Sequence, residues 1–158
     1  MKRKGKKRKV IITSSIVGTI VLLLVGAYGF DYAVSKRYEF ELIARSDDVI
    51  IADGVSSIRF RVKLTKDNKP VAGHTIYFYA SNGSLPVSRI ITNESGWITF
   101  TYYPYLFVNE KVTPLDDVTI YFQDESNSYI FLVPATWKFT MPVVKPDGVS
   151  GGSDWEDL

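Results

Sequence analysis

Residues 10 to 30 form a run of 21 positions without a charged side chain, and twelve of them are Val, Ile, Leu or Phe. At about 1.5 Å of rise per residue, a helix of that length reaches roughly 30 Å, the thickness of a bilayer's hydrocarbon core. Those twelve side chains favour insertion by about 4 to 7 kcal/mol, partly offset by Thr13, Ser14, Ser15 and Thr19, whose hydroxyls can bond back to helix carbonyls. The expectation is a retained transmembrane helix. A cleaved signal peptide is the competing reading, because Ala27 and Gly29 are small residues at a spacing a signal peptidase recognises, yet its apolar core ordinarily covers only about 7 to 15 residues.

Charge orients the helix. Lys2, Arg3, Lys4, Lys6, Lys7, Arg8 and Lys9 precede the run without an acid among them, and only Lys36 and Arg37 follow closely. The positive-inside rule therefore predicts a cytoplasmic amino terminus and an extracytoplasmic carboxy-terminal domain in a single-pass protein of the cell membrane. Of 19 basic and 17 acidic residues, removing these seven leaves twelve basic against 17 acidic, so a near-neutral total hides two oppositely charged parts. A basic stub beside a spanning helix is expected on anionic lipid headgroups and not on nucleic acid. Within the helix Ser14 and Gly18 stand four apart, as do Ser15 and Thr19, a small-residue spacing that lets helices pack and offers one route to a homo-oligomer. The expected divisions are a basic stub at 1–9, the helix at 10–30, a connector at 31–37, a β-domain at 38–141 and a flexible acidic tail at 142–158.

After residue 37 the periodicity changes from helix to strand. Tyr38, Phe40 and Leu42 alternate with Glu39 and Glu41, and Ile58, Phe60, Val62 and Leu64 alternate with Arg59, Arg61 and Lys63, the pattern of half-buried strands. Further strands are expected at 75–80, 89–92, 97–103, 118–123, 129–133 and 137–141, separated by turn residues such as Asp67, Asn68, Pro70, Gly73, Asn82, Gly83, Asn93 and Gly96. Short strands at this density predict an all-β, antiparallel, immunoglobulin-like sandwich. Phe60, Phe78, Phe100, Ile120, Phe122 and Trp137 are its expected core. With no cysteine in the chain, no disulfide framework, lipid-modified cysteine or cysteine-ligated metal enters the reading.

Several motifs occur in order and at compatible spacing: Ala52-Asp53-Gly54-Val55-Ser56-Ser57, then Asp67-Asn68-Lys69-Pro70-Val71-Ala72-Gly73, Ile76-Tyr77-Phe78, and Thr92-Asn93-Glu94-Ser95-Gly96-Trp97-Ile98. Together they resemble bacterial immunoglobulin-like domains of the invasin and intimin type over residues 38–103. The resemblance implies a spacer or adhesion role at a bacterial surface. Beyond Tyr103 the family's short glycine-led final strand is replaced by a longer Tyr- and Pro-rich segment.

No constellation for catalysis is evident: the single histidine, His74, stands at a turn entering a strand, with no cysteine, serine elbow or metal-binding His spacing near it in sequence. No enzyme activity, cofactor or metal is therefore expected. Asp47-Asp48, Asp116-Asp117 and Asp124-Glu125 offer oxygens to a hard cation such as calcium but share no ligand spacing, and they read as solvated turn residues. Contact chemistry is better represented. Tyr103, Tyr105 and Phe107 flank Pro104 in a segment too apolar to face one core, a candidate protein-contact group, with folding over an open end of the sandwich as the alternative. Trp155, among acids at the tail, is a candidate docking residue. The function expected is a non-catalytic binding or structural module at the cell surface, adhesion-like, or alternatively a subunit of an envelope assembly for secretion, transfer or a surface appendage. An exposed sheet edge offers the pairing route, to a protein partner or to a second copy of the chain.

Overall fold

The computed structural model describes residues 4–109, 112, 115–127, 129–131 and 133–146, with the backbone alone for residues 4–15. One helix, α1 (Lys4–Ser35), leads into the strands β1 (Tyr38–Arg45), β2 (Ile50–Ile51), β3 (Ile58–Lys66), β4 (Lys69–Pro70), β5 (Thr75–Ala80), β6 (Arg89–Ile91), β7 (Trp97–Tyr102), β8 (Val118–Asp124), β9 (Ala135–Met141) and β10 (Val143–Val144). The helix does not stop at Phe30 but continues to Ser35, so most of the segment expected as a connector is helical. No proline or glycine interrupts residues 30–35, and tertiary contacts of Asp31, Val34 and Ser35 hold that last turn.

The strands form an immunoglobulin-like sandwich. In the first sheet β3 pairs antiparallel with β1 on one side and β7 on the other, while β4 folds back on its end; the second runs β6-β5-β8-β9, all antiparallel. The alternation of β3 determines its placement: Ile58, Phe60, Val62 and Leu64 are buried, and Arg59 and Arg61 face outward. Between the sheets Phe78 lies 4.6 Å from Phe100 and 5.8 Å from Phe122, ring centre to ring centre, and Phe60 lies 5.3 Å from Phe100. Each fully buried ring of this kind contributes about 1.5 to 3 kcal/mol. Trp137, expected in the core, is only partly buried; it packs against the core's edge, 5.4 Å from Phe122.

Turn chemistry fixes the registers. Asp67 and Asn68 both adopt positive φ, 49° and 63°, as a two-residue hairpin requires, and Lys66 pairs with Lys69 across it. At Gly96 (φ 74°) a Cβ would stand 2.6 Å from the Leu64 carbonyl oxygen, so only glycine lets this turn close against β3. The Asn93 side chain completes that turn by accepting the Ser95 and Trp97 N–H groups at 3.0 and 2.9 Å.

Two sequence expectations are corrected here. Residues 129–131 are not strand but bends, and they leave the sheet to pack on the helix; their alternating apolar residues serve that contact instead. The segment expected to be tail from residue 142 begins with β10, which pairs parallel with β2 through Val143 and Val144 opposite Ile50 and Ile51. Two β-branched valines before Pro146 are enough for a short ladder on a buried Ile50.

Candidate functional site

Three places lie outside the strand-to-strand packing between the two sheets. The first is the junction of helix and sandwich. Asp31, 1% exposed, accepts the Ile130 N–H at 2.8 Å and the Phe131 N–H through the same carboxylate oxygen. Around this clamp Tyr28 meets Phe131 and Phe30 meets Tyr129 edge-on, each pair 6.2 Å between ring centres. One turn further on, Val34 and Ser35 are buried, the Ser35 hydroxyl returning to the Tyr32 carbonyl at 2.9 Å. Arg37 then grips the β3–β4 turn: its Nε donates to Asp67 at 2.9 Å, and its carbonyl accepts the Asp67 N–H at 3.1 Å. The Arg37 guanidinium holds the Asp67 carboxyl below the usual carboxylate range. The helix therefore enters the sandwich through a built joint and not a slack tether.

The second place is the far end of the sandwich. Beyond β7 the chain folds over the open end: Tyr103 and Ser84 exchange backbone hydrogen bonds at 2.8 and 2.9 Å, and the Phe107 N–H bonds the Ala52 carbonyl at 2.8 Å. Of the three aromatic residues expected as a contact group, Phe107 is 2% exposed, with the Lys145 ammonium over its ring at 5.3 Å. Tyr105 is half-buried against the core, and Tyr103 is 40% exposed. Phe107 thus seals the core and offers no surface; its burial beneath the segment is what lets the end close. Tyr102 is fully buried below this cap, and burial pushes its phenol up to about 12. Gly83 (φ 79°) presses so closely on that ring that a Cβ would come 2.6 Å from it. Asp53 is bridged to Leu106 in this same cap, its carboxylate accepting the Ser56 hydroxyl and the Val55 and Ser56 N–H groups at 2.9 and 2.8 Å, which holds it below the ordinary value.

The third is the outer face of the second sheet. Tyr79 and Tyr121 stack at 4.8 Å and 12°, Tyr77 adjoins Tyr79 at 5.9 Å, and the charged groups of Arg89 and Lys138 lie over Tyr77 and Tyr121. A shallow concavity of about 420 Å³ lies beside this stack, lined by Tyr79, Tyr121, Gln123, Thr136, Trp137 and Lys138 among others. Residue-by-residue reading of the sequence did not find this surface. Its signal was present in β5, where Tyr77 and Tyr79 alternate with Ile76 and Phe78: a strand apolar on both faces can bury only one of them in a two-layered sandwich.

His74, without a visible partner in sequence, has one in space. Its Nδ1 lies 2.8 Å from the fully buried Asp124 carboxylate, which also accepts the Ser126 N–H at 2.9 Å, while the His74 N–H donates to Thr92 Oγ1 at 3.0 Å. The pair ties the end of β8 to the turn before β5 across 50 residues of chain. It lines none of the concavity just described. Two of the acidic turns are paired with arginines: Asp48 meets Arg45 and Glu125 meets Arg89 at 2.9 and 3.0 Å. Among the described residues no three His, Asp or Glu side chains converge as a metal site would need. Gly18 has no neighbour within 4 Å of where its Cβ would stand. The Ser14 side chain and Trp155 lie outside the described residues.

No family model matches the chain, and no curated protein matches it in sequence. Among solved structures it is similar to the C-terminal 282-residue fragment of intimin in complex with the intimin-binding domain of the translocated intimin receptor: identity 18%, 65% of this chain and 32% of that one covered, TM-score 0.49. It is similar too to the Yersinia pseudotuberculosis adhesin InvE, with 19% identity over 70% of this chain and 27% of that one and a TM-score of 0.47. A conjugate transposon protein of Bacteroides vulgatus, residues 27–141, matches with 13% identity over 66% of this chain and 83% of that one, TM-score 0.41. The chain spans about a third or less of the two adhesin chains. Likeness at this level carries no argument, and the sandwich stands on the strand pairings above.

Proposed function

We propose that the chain is a membrane-anchored, extracytoplasmic immunoglobulin-like module with a non-catalytic binding or structural role at the cell surface. The observation that carries this reading is the junction: an apolar helix with 54 to 74% exposure at Val17, Leu22, Leu23, Val25 and Phe30 is clamped through Asp31 onto a sandwich whose own core is closed. Side chains that apolar and that exposed need a lipid or protein environment. The partner-binding surface best supported is the tyrosine face of the second sheet, which gives large contact area at low entropic cost, together with Tyr103 at the far end.

The clamp also supports a second reading. A domain fixed directly on its anchor has little reach, which suits a subunit packed beside its neighbours in an envelope assembly better than long-range adhesion. The experiment is extraction of the full chain in mild detergent, followed by sizing and identification of co-purifying chains. An adhesin-like module runs as a monomer or dimer, an assembly subunit as part of a large complex. Protease added to intact cells that spares residues 38–141, while permeabilised cells lose them, would overturn both readings.

A further inference from the structure

The clamp at Asp31 holds part of the sandwich beside a stretch of helix that is itself apolar. Phe131 reaches Tyr28, and Tyr129 reaches Phe30, both inside the charge-free run. If residues 10–30 lie in hydrocarbon, the backbone of residues 129–131 is carried to the depth at which that run ends. Ile130 and Tyr129 nevertheless remain largely exposed, at 62% and 64%, Tyr129 resting only one edge of its ring on Phe30. Two successive N–H donors of this segment, those of Ile130 and Phe131, which would be costly unpaired in a water-poor interface, are taken by the Asp31 carboxylate. Tyrosine is a side chain that favours the headgroup level, and Lys36 follows directly after the helix end, where anionic headgroups would meet it.

We propose that Tyr129 and Ile130 enter the outer leaflet alongside the helix, giving the sandwich a second membrane contact that fixes its height and tilt. The inference rests on the anchored reading above and goes beyond it. The joint fixes the sandwich on the helix but leaves the pair free to tilt and rotate in the bilayer, whereas an inserted loop beside the helix holds one face of the domain toward the lipid and presents the rest outward.

The chain contains no cysteine, so single nitroxide labels can be placed without removing native residues. The full chain carrying Ile130→Cys, Tyr129→Cys, Leu23→Cys or Val55→Cys is reconstituted in vesicles of mixed phosphatidylethanolamine and phosphatidylglycerol, and each label's accessibility to oxygen and to a water-soluble nickel complex is read by power saturation. Leu23 reports on the helix, and Val55, 80% exposed beyond the far end of β3, reports on the domain's outer end. The expected result is an oxygen-to-nickel ratio at 130 and 129 severalfold above that at 55 and below that at 23. A high ratio at 23 with 130 and 129 no different from 55 overturns the inserted loop and leaves the anchor standing. Low accessibility to both reagents at 130 and 129 means a protein surface covers them and overturns it too. A low ratio at 23 removes the anchored reading and the loop's insertion together.

Discussion

The two ends of the sandwich are closed by different physics. At the far end Phe107, Tyr102 and half-buried Tyr105 close the core by burying rings, and the backbone of residues 103–107 is paired strand-like to Ser84 and Ala52. At the helix end one carboxylate, Asp31, gathers two backbone donors, and ring contacts are edge-on at 6.2 Å with Tyr28, Phe30 and Tyr129 all about half exposed or more. Ring burial is non-directional and shared by the whole core, so its loss is felt everywhere. A carboxylate clamp is directional, and its loss is felt where it sits. The far end should thus behave as part of the folding unit and the helix end as a joint.

Breaking the far end gives the largest effect. Phe107→Ala removes a ring that is 2% exposed and should cost about 3 to 5 kcal/mol in chemical denaturation of the detergent-solubilised chain. A loss well under about 1 kcal/mol would mean that the cap is an appendage, and the contrast between the ends would collapse. Gly83→Ala attacks the same end through the backbone. A non-glycine residue at φ 79° costs about 1 to 3 kcal/mol, and the added Cβ collides with Tyr102 as well. Combining it with Tyr102→Ala should recover part of that loss.

Asp31→Ala tests the other end. Hydrogen exchange at the amides of Ile130 and Phe131 should quicken severalfold, while the denaturation midpoint of the sandwich moves little. Cooperative unfolding of the whole domain on this substitution would make the joint part of the core after all.

The pH dependence separates the ends more finely. The Tyr102 phenol is raised in the folded state to about 12 from an ordinary 10.0, so the fold binds a proton that the unfolded chain has released. Stability is therefore full below pH 10 and falls as the pH rises toward 12, and Tyr102→Phe should flatten that fall. On the acid side Asp53 and Asp67 are both held below the ordinary carboxylate value, Asp53 by the Ser56 hydroxyl and Asp67 by Arg37. Their contribution is present above the ordinary carboxylate range and is lost as the pH falls through and below it. Arg37 and Asp67 are both about half exposed, so Arg37→Ala should give the smallest change of the set, and added salt should reduce it further.

Much of the architecture was legible because it follows from periodicity. The alternation in β3, the turn residues Asp67, Asn68 and Gly96, and the odd-even rings of β5 and β8 depend on side-chain direction within a few residues, which a sequence displays directly. Residues 129–131 misled for the same reason: their apolar alternation is real, but it meets a helix instead of a neighbouring strand. For Phe107 the sequence left two readings open, contact group or cap over an open end, and the choice between them depends on Ala52 and Lys145 arriving from elsewhere. The pairing of His74 with Asp124 and the tyrosine stack across β5 and β8 join residues about forty or more positions apart, and no local pattern encodes such a meeting.

By itself the sequence determined that an apolar helix precedes an antiparallel two-sheet domain, because the length of a charge-free run and the period of an apolar pattern are local properties. The tertiary structure alone decided that the two are clamped through Asp31, that Phe107 is sealed and that three tyrosines share an outer face. Each of these depends on distant segments sharing the same few ångströms, and that proximity is set only when the sheets close on their core.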